Sequence, residues 1–84
     1  MSGQYNVMVD IIEERERQDT KWGVQTHNDH LWNTILSEEV GEVSKALLDH
    51  EFKGKPVRDI RAELVQVAAV AVSWLECIDR RASL

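Results

Sequence analysis

The chemistry of this chain is concentrated in five side chains. Glu38, Glu39 and Glu42 stand in the run Ser37–Glu42, and Glu63 and Gln66 follow about twenty residues later. Glu38 and Glu42 are four apart and Glu39 and Glu42 three apart, so on a helix their Cβ atoms lie roughly 5–6 Å from each other. Glu39 is also four residues from both Ile35 and Val43, which places it on the apolar stripe of the segment. Three like charges at this spacing repel one another, and removal from water makes the repulsion worse. A purely structural helix gains nothing from such an arrangement. A divalent cation relieves it, because hard cations take several oxygen ligands converging on one point.

Two helices must position these groups. Leu31, Trp32, Ile35, Leu36, Val40, Val43, Ala46, Leu47 and Leu48 recur mostly at intervals of three and four, the signature of an amphipathic helix. Glu63 and Gln66, three apart, open the apolar run Leu64–Leu75 and share one face. Packed together, the two faces enclose a pocket lined by Glu38, Glu39, Glu42, Glu63 and Gln66. Helical bundles build metal sites in this way, from inward side chains on facing helices.

The order Glu38-Glu39-Val40-Gly41-Glu42, then Glu63-Leu64-Val65-Gln66, resembles the all-α nucleoside triphosphate pyrophosphohydrolases of the MazG-like group. That family carries Glu-Glu-x-x-Glu followed by Glu-x-x-Asp. The likeness extends to Lys21-Trp22-Gly23, Gln25 and His27, similar to small phage and bacterial members, and covers roughly residues 11–78. It implies Mg²⁺, or Mn²⁺ in its place, held by Glu39, Glu42, Glu63 and Gln66. It implies cleavage of a nucleoside triphosphate between its α and β phosphates; Glu38, the carboxylate remaining beside the cluster, is the candidate for orienting or deprotonating the attacking water. Gln66 departs from the family's Asp and removes one anionic ligand; its neutral oxygen can still coordinate. The second reading is a helical oligomerisation or regulatory module that has kept the fold and lost full chemistry.

Composition narrows the classes further. The chain has 84 residues, one domain's worth. Its net charge is −5, which argues against a nonspecific nucleic-acid surface but not against a nucleotide, since a bound metal reverses the local sign. The single cysteine, Cys77, excludes an internal disulfide framework and fits a reducing, cytoplasmic setting. The longest apolar run is interrupted by Gln66 and Ser73 and is too short to span a bilayer.

The pattern predicts an all-α fold of three main helices in a single domain, residues 1–84. Residues 1–5 read as frayed. A first helix is expected over Tyr5–Gln18, with the mixed charges of Glu13–Asp19 as a solvated face, or with Arg15 or Arg17 reaching a phosphate on a neighbouring subunit. A connector follows over Thr20–Asp29, in which Asp29 is placed to cap the next helix. Here Lys21 either stays in water or binds a phosphate. Trp22 either plugs the end of the bundle or, like Trp32, packs on a base. His27 and His30 read as solvent-facing. The second helix is expected over His30–Glu51, with Gly41 in its interior marking a close approach of another helix or of a phosphate.

Gly54 and Pro56 punctuate the break before a third helix over about Val57–Arg81. Ile60, Leu64, Val67, Ala68, Ala71, Trp74, Leu75 and Ile78 form its main stripe, and Val65, Val70 and Val72 make its other sides apolar too. A helix apolar nearly all round needs covering nearly all round. Three helices of this length cannot supply that cover, so the sequence predicts a homo-oligomer, a dimer or a tetramer, joined through the third helix. Gln66, within that run, needs a partner: Glu63, Glu42 or the metal site, or else an interhelical hydrogen bond that sets register.

Overall fold

The computed structural model describes residues 2–82. Within them the chain forms three α-helices and no strand: α1 (Gly3–Trp22), α2 (Asp29–Lys53) and α3 (Val57–Ala82). The all-α expectation holds; α1 and α2 run past both of their predicted ends, while α3 begins at Val57 as expected and ends one residue past Arg81. Ser2 caps α1 by accepting a hydrogen bond from the Tyr5 N–H at 3.2 Å, so the segment expected to fray is helical from Gly3. Residue 1 lies outside the described residues. At the other end α1 runs through Thr20–Trp22, assigned above to the connector. It stops only at Gly23, whose φ of 74° is open to glycine, and whose N–H reaches the Asp19 carbonyl at 2.8 Å.

The cap of α2 is Asn28 rather than Asp29. The Asn28 side-chain oxygen accepts from the Leu31 N–H at 2.9 Å. Asp29 is thereby freed for a longer-range task. It accepts from Trp74 Nε1 at 2.9 Å and pairs with Arg81 Nη2 at 2.8 Å, tying the start of α2 to the end of α3. Arg80 adds a hydrogen bond to the Gln25 carbonyl at 2.9 Å. Gly54 closes α2 in the left-handed conformation, φ 68° and ψ 22°, and Pro56 stands immediately before α3. The short link makes α2 and α3 antiparallel partners along their length. α1 packs on α3 alone, and α1 and α2 do not pack on each other. None of these helices is long and apolar enough to cross a membrane.

The core is small. Trp32, Val70 and Cys77 form it, with Ile35, Leu36 and Trp74 packed around them. α1 buries no residue completely. On α3 the buried positions are Ala69, Val70, Ser73 and Cys77, which is not the stripe the sequence pattern singles out. Leu64 and Leu75 of that stripe remain 51% and 60% exposed, while its Trp74 packs against the core. The pattern correctly marks α3 as apolar on most sides, but α1 and α2 occupy the side with the smaller residues. Gly41 also departs from expectation. It is exposed, and a Cβ built there meets nothing within 4 Å, so no helix of this chain crosses at that point.

Candidate functional site

Glu39 is the centre of the carboxylate cluster. It is half-buried on the inward side of α2. Burial pushes its carboxyl above the ordinary glutamate range, and Glu63, Glu42, Glu38 and Glu14 push it further in the same direction. Four carboxylates from three helices thus act on one. Glu38 and Glu42 are exposed on α2, while Glu63 is half-buried on α3. Glu38, Glu39 and Glu42 stand on α2, and Glu63 stands on α3, the helix packed against it.

Glu14, which the sequence reading assigned to a solvated run, joins this cluster from α1. Its side chain is only 11% exposed. A hydrogen bond from Arg17 holds its carboxyl below the usual range despite burial, and hydrogen bonds from Gln66 and Gln18 act with it. The signal was faint: Glu14 lies three residues from Ile11 and four from Gln18, but the surrounding charges hide the inward face. Gln66 turns toward α1 rather than toward Glu63 or Glu42. Its Oε1 accepts from Gln18 Nε2 at 3.1 Å, and the same Gln18 nitrogen donates to Glu14 at 3.1 Å. Gln66 therefore closes a polar network between α1 and α3 at the edge of the cluster.

Arg15 and Arg17 are engaged within the chain. Arg15 bridges Asp19 at 3.0 Å and Glu76 at 2.7 Å, and Arg17 pairs with Glu14. Arg15 is thereby held between α1 and α3, while the Arg17 side chain stays 56% exposed.

A cavity of about 260 Å³ lies between the three helices beside Glu39. Its lining is apolar at Trp32, Ile35 and Val70 and polar at Gln18, Gln25, Gln66 and Ser73, with Arg15 and Asp19 also present. The two tryptophans exchange their expected roles here. Trp32 is the plug: it is 1% exposed and meets the edge of His27 at a ring distance of 4.8 Å. Its indole nitrogen has no hydrogen-bond partner, and it presents no free face for stacking. Trp22 is 56% exposed at the rim, with the Lys21 ammonium 4.6 Å from its ring centroid. His27 is packed rather than solvent-facing, and His30 is exposed in the first turn of α2. A second groove, of about 240 Å³, runs from Glu42 and Glu63 toward Lys45 and Lys55. These two lysines were not singled out from the sequence, where they read as ordinary surface charges.

Among the described residues, no group of three or more His, Cys, Asp or Glu side chains converges closely enough to hold a metal ion. The donor chemistry nevertheless suits a hard cation: all the candidate ligands are oxygens and the local charge is strongly negative. Glu38 and Glu42, being exposed, can change rotamer on a fast timescale at little cost.

Comparison with protein-family models, with curated proteins and with solved structures returned no match for this chain.

Proposed function

We propose that the protein is a Mg²⁺-dependent nucleoside triphosphate pyrophosphohydrolase, giving a nucleoside monophosphate and pyrophosphate. The observation that carries this reading is the position of Glu39, a half-buried carboxylate pressed by Glu63, Glu42, Glu38 and Glu14 at the mouth of a cavity. Like charges acting on a partly buried acid oppose folding unless a cation compensates them. The resemblance of the Glu38–Glu42 and Glu63–Gln66 segments to the pyrophosphohydrolase motif supports the same assignment.

In this reading Glu39, Glu42 and Glu63 hold the cation, and Gln66, its oxygen engaged by Gln18, stands at the edge of the site. The cation supplies charge neutralisation of the phosphates and polarisation of the bond under attack. Glu38, exposed beside the cluster, orients the water and takes one of its protons as the water oxygen joins phosphorus and the α–β anhydride bond breaks. The nucleoside lies in the cavity between the helices, with the exposed face of Trp22 at the rim and the amides of the walls toward the base. Lys21 takes a phosphate oxygen as a point charge, and Lys45 and Lys55 lie along the groove that leaves the cluster on the other side. Trp32 contributes the apolar floor. The chain acts as a homo-oligomer, a dimer or a tetramer, in the cytoplasm.

The test is pyrophosphate release from a panel of ribo- and deoxyribonucleoside triphosphates, with Mg²⁺, Mn²⁺ or EDTA, for wild type beside Glu39→Gln. The expected result is release that requires metal and is lost in the variant. Absence of release from every nucleotide would favour the second reading, a helical oligomerisation module with weakened chemistry. One observation favours that alternative: Gln66 spends its carbonyl oxygen on Gln18.

A further inference from the structure

We propose that the outward face of α3 is a two-fold interface, on which the α3 of a second copy of this chain packs antiparallel. The proposal rests on the homo-oligomer reading and is independent of the nucleotide chemistry. The face is a stripe whose two leucines the chain leaves exposed and whose Ala68, Ala71 and Ile78 are half-buried. Leu64, Ala68, Ala71, Leu75 and Ile78 follow one another at intervals of four, three, four and three, the heptad spacing with which two helices meet along a seam. Leu64 is 51% exposed and Leu75 60% exposed, while the residues α3 buries within its own chain, Ala69, Val70, Ser73 and Cys77, lie on the other side.

The stripe is self-complementary. Ala68 and Ala71 are equidistant from a midpoint between Ala69 and Val70, and Leu64 and Leu75 are equidistant from the same point. An antiparallel pair centred there sets small residue against small residue and lets the two backbones come close. It also brings Leu75 of each copy opposite Leu64 of the other. Beside Leu64 the surface is hollow: a groove of about 210 Å³, its walls mostly apolar, is formed by Val7 and Ile11 of α1 with Arg61, Leu64, Val65 and Ala68 of α3. One chain therefore carries both a projecting leucine and an apolar hollow, at mirrored positions. That is the requirement for an isologous contact, in which the same patch serves both partners. A partner of different sequence would have no use for the mirror relation.

The exposed area is of the right size. The chain exposes 6075 Å², about 1,000 Å² more than the roughly 5,100 Å² of an ordinary monomer of its 9.7 kDa. A standard interface takes roughly 800 Å² from each partner. A single two-fold contact along α3, with α1 flanking it, removes an excess of that order.

The experiment is sedimentation equilibrium on wild type, Leu75→Glu, and the double variant Leu64→Lys/Leu75→Glu, with circular dichroism to confirm helix content. Both side chains are exposed in the single chain, so the variants leave the monomer fold intact. Wild type is expected to associate, and Leu75→Glu is expected to raise the dissociation constant by about 100-fold or more, because the two-fold axis places the charge in the contact twice. The double variant is expected to recover association, since an antiparallel pair sets each introduced lysine against an introduced glutamate. Unchanged association of Leu75→Glu would overturn this face while leaving a homo-oligomer standing. A double variant that stays dissociated would overturn the antiparallel pairing. A wild-type chain that remains monomeric at every concentration would overturn both the face and the homo-oligomer reading.

Discussion

Gln18 on α1 donates its side-chain amide to the carbonyl oxygen of Gln66 on α3 at 3.1 Å. The two residues are 48 positions apart in the chain, and their contact decides what Gln66 is free to do. The Gln66 amide also supports Glu14, so Gln66 ties α1 to α3 beside that carboxylate. Gln66→Asp removes that donor and sets a further negative charge beside Glu14 and Glu39. The expected result is a loss of metal-free stability of about 1–3 kcal/mol, recovered in part by Mg²⁺ as the new carboxylate becomes a ligand. Thermal melts with and without Mg²⁺ measure both effects. A loss that Mg²⁺ leaves untouched would assign position 66 to packing alone.

Glu39→Gln should separate stability from activity. The amide cannot repel Glu63, Glu42, Glu38 or Glu14, so the metal-free variant is expected to melt at a higher temperature than wild type. Metal-dependent pyrophosphate release should fall by at least about 100-fold. A variant that is both less stable and fully active would remove Glu39 from the site.

The pH dependence follows from opposed shifts. Glu39 holds its proton above the ordinary glutamate value of 4.5, so the folded chain binds more protons than the unfolded chain in that window, and stability declines as pH rises through it. Glu14 is shifted below 4.5 by Arg17, then by Gln66 and Gln18, and Asp29 below 3.8 by Arg81, then Trp74. Their contributions are complete above those unfolded values and are lost as pH falls through the folded ones. Urea midpoints against pH should therefore lose the decline above 4.5 in Glu39→Gln and soften the acid loss in Glu14→Gln. Mg²⁺ competes with the Glu39 proton, so its apparent affinity should drop in mildly acidic buffer.

The two helix glycines should respond in opposite directions. Gly54 sits at φ 68°, and Gly54→Ala is expected to cost about 1 kcal/mol. Gly41 is helical, exposed and unobstructed, and Gly41→Ala is expected to stabilise the chain by roughly 0.5–1 kcal/mol. Chemical denaturation measures each. A Gly41→Ala chain that is stable but inactive would place a substrate phosphate against that backbone.

Much of this molecule was legible before any coordinates. Caps and breakers act within one turn of the backbone, so Gly54 and Pro56 marked the link between α2 and α3, and the period of three and four marked the helices. The acidic motif was legible for the same reason, since residues three and four apart share a face of a helix wherever that helix lies. The end of α1 was misplaced because Thr20, Lys21 and Trp22 are tolerable helix residues and only Gly23 forces a stop.

What the sequence by itself determined is therefore local: three helices, their approximate bounds, and the grouping of Glu38, Glu39 and Glu42 on one and of Glu63 and Gln66 on another. The tertiary structure alone decided how the helices turn toward each other. It buried Trp32 and left Trp22 at the rim, although both are tryptophans beside polar neighbours. It brought Glu14 into the cluster and gave Gln66 to Gln18. It also packed α3 through Ala69, Val70, Ser73 and Cys77, leaving the richer stripe of Leu64 and Leu75 outside. Periodicity reports that a helix has an apolar face, but α3 has more than one. Which face is used depends on the shapes of the partners, and those are not written in the helix itself.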